Sequence, residues 1–333
     1  MRAVLCKEFG PPSSLVIEEI PDPVPGPGEV VVDVAAASVN YPDTLTIRDL
    51  YQFKPALPFA PGGEFAGTVS AVGATVDDVA VGDRVIAVQV AGGFAEKALV
   101  SQPKALLPIP PGMDFVSAAS WVLAYGTSYY ALKDRAEAKP GETVLVLGAA
   151  GGVGLAAVDL AGELDLRVIA AASSEEKLAV CREYGAAATI NYTTEDLKDR
   201  VKALTGGAGV DIVVDPVGGD YTEAALRATA WKGRLLVIGF TAGAIPRIPL
   251  NLALLKGCDI RGVFWGSFTQ RNPTLSSRNL LELVAMHQQG RIRPHISARY
   301  PLAQAPQAIA DLLERRATGK VVVEVTPGEP ITP

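Results

Sequence analysis

The chain has 333 residues, 49% of them hydrophobic and 20% charged, with a formal net charge of −6. That length suits two domains and a substantial core, and the acidic balance without a basic run excludes nucleic acid as the main partner. No apolar run reaches the ~18 uncharged residues of a membrane helix, and the first residues read as a strand and not as a signal sequence, so a cytoplasmic protein without a membrane partner is expected.

The first 120 or so residues carry alternating and β-branched segments, such as 30–34 and 67–72, separated by Pro/Gly-rich turns at 21–28 and 81–83. They predict a β-rich, barrel-like domain. Asp114 is placed to cap a helix starting at Phe115 that joins the domains, and Lys139-Pro140-Gly141 breaks the chain before an apolar strand over 143–147. That strand runs into Gly148-Ala149-Ala150-Gly151-Gly152-Val153-Gly154 and then a helical pattern. A helix N-terminus offers unpaired N–H groups and partial positive charge to an anion, and glycines let a phosphate approach the backbone. A dinucleotide pyrophosphate is expected there, held by Ala150, Gly151, Gly152, Val153 and Gly154, although Ala149 replaces the first glycine of G-x-G-x-x-G.

Five further apolar runs follow, at 167–172, 188–190, 210–215, 234–239 and 260–264, with helical stretches between them. One of these, 175–184, has Ser173 or Ser174 as its N-cap. Strands alternating with helices predict an α/β domain with a doubly wound parallel sheet. About 20 residues past the glycine turn, where an NAD site offers a carboxylate to the ribose, the chain has Ala171-Ala172-Ser173-Ser174 with Lys177 one turn on. Nothing there repels a 2′-phosphate, which points to NADPH. Helices over 275–288 and 303–317 and a strand over 320–325 complete the pattern, with a tail able to pack back on the first domain. From Ile245 onward, 11 Lys and Arg stand against 6 Asp and Glu, leaving −11 for the first 244 residues; a solvated face explains this more simply than a phosphate-bearing ligand. Cys6, Cys181 and Cys258, odd in number and unevenly spaced, read as reduced structural thiols.

Several segments together resemble the medium-chain dehydrogenase/reductase superfamily, in its zinc-free quinone oxidoreductase (zeta-crystallin-like) branch. They are the opening Met1-Arg2-Ala3-Val4, Pro27-Gly28-Glu29-Val30, Ser38-Val39-Asn40-Tyr41-Pro42-Asp43, Pro61-Gly62-Gly63-Glu64-Phe65-Ala66-Gly67, Val81-Gly82-Asp83-Arg84-Val85, Gly126-Thr127-Ser128-Tyr129-Tyr130-Ala131-Leu132, the glycine turn and Ala317-Thr318-Gly319-Lys320-Val321-Val322. The resemblance implies a GroES-like catalytic domain over 1–122 and 270–333, a Rossmann domain over 123–269, and NADPH in a cleft between them. It also implies that Ser173, Lys177 and Tyr192 surround the 2′-phosphate. Asn40 and Thr127 would line the nicotinamide and ribose side, and Gly239-Phe240 and Phe264-Trp265 would hold the nicotinamide end.

Zinc-dependent relatives place Cys where this chain has Asn40 and His where it has Gly63, and the lobe that would carry four thiolates is missing, so no metal is expected. Without a Lewis acid for an alkoxide, the expected chemistry is hydride reduction of a small conjugated acceptor, a quinone or an alkene activated by a carbonyl. Asn40 and Tyr51 are the candidate catalytic residues. Tyr51 lies where related enoyl-thioester reductases carry a proton-donating tyrosine in Gly-x-Tyr, here Asp49-Leu50-Tyr51. The alternatives are an enoyl- or acryloyl-thioester reductase and a crystallin-like or sensor protein that binds NADPH without turnover. A homodimer is expected through the apolar edge strand near 260–265, with Arg261-Gly262-Val263-Phe264 meeting its symmetry mate.

Overall fold

In the computed structural model, which describes residues 1–326, the Pro/Gly-punctuated N-terminal segment forms seven strands. They are β1 (Arg2–Leu5), β2 (Val16–Glu19), β3 (Val30–Val39), β4 (Glu64–Val72), β5 (Arg84–Val88), β6 (Lys97–Val100) and β7 (Leu107–Pro108). Helix α1 (Tyr41–Thr46) follows β3, and α2 (Phe115–Ala118) follows β7. The ten-residue β3 organises this segment, pairing antiparallel with both β4 and β6. Its Val30, Val32 and Val34 share one core with Phe65 and Phe94. Each such buried side chain contributes about 1.5–3 kcal/mol over an exposed one.

Asp114 caps α2 as expected, its carboxylate accepting from Ser117 N at 2.8 Å. The helix nonetheless stops at Ala118, and α3 (Val122–Tyr129) resumes after a break. Strands and helices then alternate: β8 (Thr143–Leu147), α4 (Gly152–Glu163), β9 (Arg167–Ala172), α5 (Glu175–Glu183), β10 (Ala188–Asn191), α6 (Leu197–Leu204), β11 (Val210–Asp215), α7 (Asp220–Ala228), β12 (Thr229–Val237), α8 (Asn251–Lys256), β13 (Asp259–Gly262), α9 (Trp265–Arg271) and α10 (Pro273–Gln288). All six strands are parallel, in the order β10-β9-β8-β11-β12-β13. That is the doubly wound Rossmann order, with the reversal between β8 and β11. The expected α/β class, with a Rossmann sheet and a GroES-like β-rich domain, is what forms.

The last segment carries β14 (Ile296–Pro301), α11 (Ala305–Leu313) and β15 (Lys320–Glu324). β15 pairs antiparallel with β3, through Val321↔Val39 to Glu324↔Ala36, and parallel with β14. The chain therefore divides into one unit of Met1–Leu123 plus the described residues from Pro294 onward, and a second unit of Ala124–Arg293. This corrects the expected boundary at 269/270, because α10 belongs to the second unit. There Glu282 accepts from Tyr129 Oη at 2.7 Å and pairs with Lys133, and Asn279 donates to Asp134 at 2.6 Å. A 16-residue helix held by such bonds goes with its partners, whatever its place in the chain. Several strand ends also differ from expectation, two of them by enough to matter. β12 begins at Thr229, with a register shift against β11, and β13 ends at Gly262, so Val263 and Phe264 lie outside it. Among the described residues no helix is long and apolar enough to cross a membrane.

Candidate functional site

In the second unit, β8 delivers the chain to the point where the strand order reverses. Gly148 takes φ +55°, a conformation that favours glycine, and a Cβ there would stand 2.8 Å from Val217, just after β11. Gly151 is the N-cap of α4, and the first helical bond runs from Leu155 N to Gly151 O at 2.7 Å. The N–H groups of Gly152, Val153 and Gly154 precede that bond, so the helix turns three donors outward. A Cβ on Gly154 would lie 2.3 Å from Gly148 O, so only glycine lets the turn close over the helix. Ala149, in the place of the first motif glycine, is fully buried and tied to the sheet by its N–H to Ala171 O at 3.0 Å. The substitution leaves the cradle intact, and its donors and partial positive charge fit a pyrophosphate.

The end of β9 lies on the neighbouring strand. Ser174, not Ser173, caps α5, its Oγ accepting from Lys177 N at 3.4 Å. Ser173 is thereby left to meet Lys177 Nζ at 3.5 Å, while Tyr192 N donates to Ala172 O at 3.2 Å and its ring packs on Tyr221. Ser173, Lys177 and Tyr192 thus converge on one strand end. Phe240 packs against Gly218 after β11, and Gly239 N reaches Asp215 O at 3.4 Å, which places Gly239-Phe240 on the other side of the reversal. The Trp265 ring covers Gly126, where a Cβ would approach it to 2.8 Å, and Ser128 Oγ donates to Val153 O at 2.8 Å. Thr127, buried between those two residues in sequence, is therefore carried beside both Trp265 and the first turn of α4. Phe264 precedes α9 and is half exposed.

The first unit holds the other two candidates. Asn40 follows β3 and is the N-cap of α1, where its backbone N–H donates to Asp43 Oδ2 at 2.7 Å. Asp43 Oδ1 also accepts from Gly62 N at 3.2 Å and Gly63 N at 3.0 Å, so one buried carboxylate ties the Asn40 turn to the Gly62-Gly63 turn. Complete burial pushes the Asp43 carboxyl up to about 6, against the pull of these N–H donors and of Lys320. Tyr51 is partly buried, its ring edge-on to Phe53 at 5.8 Å. Burial, and secondarily the charge of Asp43, raise the Tyr51 phenol above its usual range, so it keeps its proton.

A residue set that the sequence reading passed over completes this half. Glu64, the first residue of β4, is fully buried and accepts from Ser38 Oγ (2.6 Å), Asn40 Nδ2 (3.0 Å), Leu123 N (2.9 Å) and Lys320 Nζ (3.0 Å). Lys320, 5% exposed at the start of β15, also donates to Asn40 Oδ1 at 2.5 Å. Both residues lie inside segments that carry the family resemblance, but a lysine 256 positions from its carboxylate gives no local signal.

Two family models match the chain, the alcohol dehydrogenase GroES-like domain over residues 26–111 and the zinc-binding dehydrogenase over residues 152–283. Over 97% of its length the chain is 41% identical to the quinone oxidoreductase-like protein 2 homolog of Nematostella vectensis, covering 88% of that protein. It belongs to the quinone oxidoreductase branch of the medium-chain dehydrogenase/reductase superfamily. A quinone oxidoreductase of Pseudomonas aeruginosa is 36% identical over 95% of this chain and 97% of its own. The solved Escherichia coli quinone oxidoreductase complexed with NADPH is similar with a TM-score of 0.92 and 29% identity, covering 98% of this chain and 100% of that one. In this member of the branch, the position at which zinc relatives place Cys is Asn40, with its carboxamide bonded to Lys320. The position of their His is Gly63, where a Cβ would stand 2.7 Å from the Gln89 carbonyl oxygen and so leaves no room for a side chain.

Proposed function

We propose that this protein is an NADPH-dependent oxidoreductase that reduces quinones or related α,β-unsaturated carbonyl acceptors without zinc. The observation that carries the cofactor choice is the end of β9, where Ser173 and Lys177 meet at 3.5 Å in the place of the carboxylate that an NAD site offers. NADPH, when bound, supplies the hydride. The N–H groups of Gly152, Val153 and Gly154 hold the pyrophosphate, and Ser173, Lys177 and Tyr192 hold the 2′-phosphate. Thr127, Gly239, Phe240, Phe264 and Trp265 orient the nicotinamide end. The E. coli relative complexed with NADPH supports this assignment.

The absence of zinc rests on the donor set. Lys320 already supplies the positive charge beside Glu64, Gly63 admits no ligand, and among the described residues no three His, Cys, Asp or Glu side chains come together to hold a metal ion. Charge developing on the acceptor must then be met by a proton. Water suffices for a quinone oxygen, whereas an enolate carbon needs an acid on a defined side. Tyr51, held protonated by burial and by Asp43, is the residue able to serve, and it keeps enoyl-thioester reduction as the second reading.

The working form is a homodimer, supported by the β13 edge, where Ile260 is 40% exposed, and by Leu250, Leu254 and Leu255, each at least 70% exposed around α8. Three buried free thiols suit a reducing compartment such as the cytoplasm. The test is NADPH oxidation with a naphthoquinone, a simple enone and acryloyl-CoA, with elemental analysis of the active protein. Turnover of the naphthoquinone that persists after chelation is expected. Stoichiometric zinc in active protein overturns the metal-free reading, and tight NADPH binding with no turnover of any acceptor makes the protein a binder.

A further inference from the structure

The orientation of the Asn40 carboxamide follows from the chemistry of its neighbours. An ammonium can only donate, so the Asn40 atom 2.5 Å from Lys320 Nζ is the carbonyl oxygen. A carboxylate oxygen can only accept, so the Asn40 atom 3.0 Å from Glu64 Oε2 is the NH2 group. The second amide hydrogen goes to Ser38 Oγ at 3.0 Å, and the Ser38 hydroxyl in turn donates to Glu64 Oε2 at 2.6 Å. The cycle closes in one sense only, and all four side chains in it are at least nine-tenths buried. Both Nδ2 hydrogens are committed, and Oδ1 keeps one lone pair.

Building on the reading of the protein as a nicotinamide-dependent oxidoreductase, we propose that Asn40 serves it only as a hydrogen-bond acceptor, for an N–H or O–H donor of the dinucleotide, and that Lys320 is the positioning residue that enforces this. Quinone and enone oxygens accept and carry no proton to give, so Asn40 has nothing to offer them. The donors that suit it are the ribose hydroxyls and carboxamide NH2 common to NADPH and NADH. Asn40 thereby keeps its expected place beside the cofactor and leaves the expected catalytic pair. Without Lys320 the amide is free to rotate and its acceptor is no longer aimed.

The test is direct titration of the full-length protein with NADPH and with NADH, followed by nicotinamide fluorescence, together with kcat for a naphthoquinone at saturating NADPH. Lys320→Met leaves the Glu64 carboxylate buried without its cation, so the paired variant Lys320→Met/Glu64→Gln, which removes both charges, carries the test if the single one does not fold. The paired variant and Asn40→Leu should each raise Kd about five- to tenfold for both dinucleotides. Combining them should raise it no further, and any fall in kcat at saturating NADPH should be smaller than the rise in Kd. Unchanged Kd in the folded paired variant, or effects of the two changes that multiply, overturns the role of Lys320. A kcat that collapses at unchanged Kd overturns the acceptor-only assignment and returns Asn40 to the chemistry. Wild-type protein that binds neither dinucleotide refutes the functional reading itself.

Discussion

Replacing Asp43 by Asn separates two opposed effects in the first unit. The amide keeps an oxygen for Gly62 N and Gly63 N, but it turns its NH2 toward Asn40 N, where the carboxylate accepts at 2.7 Å. Two donors face each other, at a pH-independent cost of about 1–3 kcal/mol. The carboxylate carries its own penalty, because burial lifts its folded pKa from 3.8 to about 6. Between about pH 4 and pH 6 the folded protein therefore holds a proton that the unfolded chain has lost, and stability falls as pH rises through that window. Two units at ~1.4 kcal/mol each amount to about 3 kcal/mol. The variant has no such proton to lose. Urea denaturation of both proteins at intervals from pH 4.5 to 7.5 should show the advantage of the wild type over Asp43→Asn shrinking by most of that amount, then levelling. A difference flat in pH would mean the three N–H donors cancel the cost of burial, and one that grows with pH would reverse the sign of the argument.

With Lys177 on the 2′-phosphate as proposed, Lys177→Ala should lower NADPH affinity about tenfold or more while NADH affinity moves less than about twofold; equal losses, or a wild-type preference for NADH, refute the assignment of that strand end. Tyr51→Phe should cost little with a naphthoquinone; a ~100- to 10,000-fold drop in kcat with acryloyl-CoA, alongside negligible quinone turnover, would make thioester reduction the activity. Light scattering at micromolar concentration should give twice the chain mass, and a monomer mass there rules out the dimer.

The second unit was largely legible because its signals are local. A strand ending in glycines, with apolar runs at βα intervals, fixes the parallel order, and 167–172 and 210–215 fall on β9 and β11 residue for residue. Boundaries slipped where tertiary contacts override the pattern. β12 starts five residues early because Thr229 pairs with Val210 before the register shift, and α10 goes with Tyr129 and Lys133 instead of with the tail that follows it. In the first unit Asn40 stood out through its motif, but what controls it did not. Lys320 is brought to it by the β15–β3 pairing, and no spacing rule connects residues so far apart. Asp43 was hidden for another reason, since its three partners are backbone N–H groups, which every residue but proline carries.

The pairing of β15 with β3 also sets an order of events on the ribosome. β3 emerges early, yet the strand that covers its edge is made only after the whole Ala124–Arg293 unit has been translated. At 5–20 residues per second, the span from Ala124 to Lys320 takes about 10–40 s. By the end of that interval the middle unit has every strand of its parallel sheet, while the nascent first unit still carries an open edge and a carboxylate at Glu64 waiting for its lysine. The first domain to begin is therefore the last to finish, and the ribosome-bound chain is most exposed to pairing with a neighbour just before its final strand arrives.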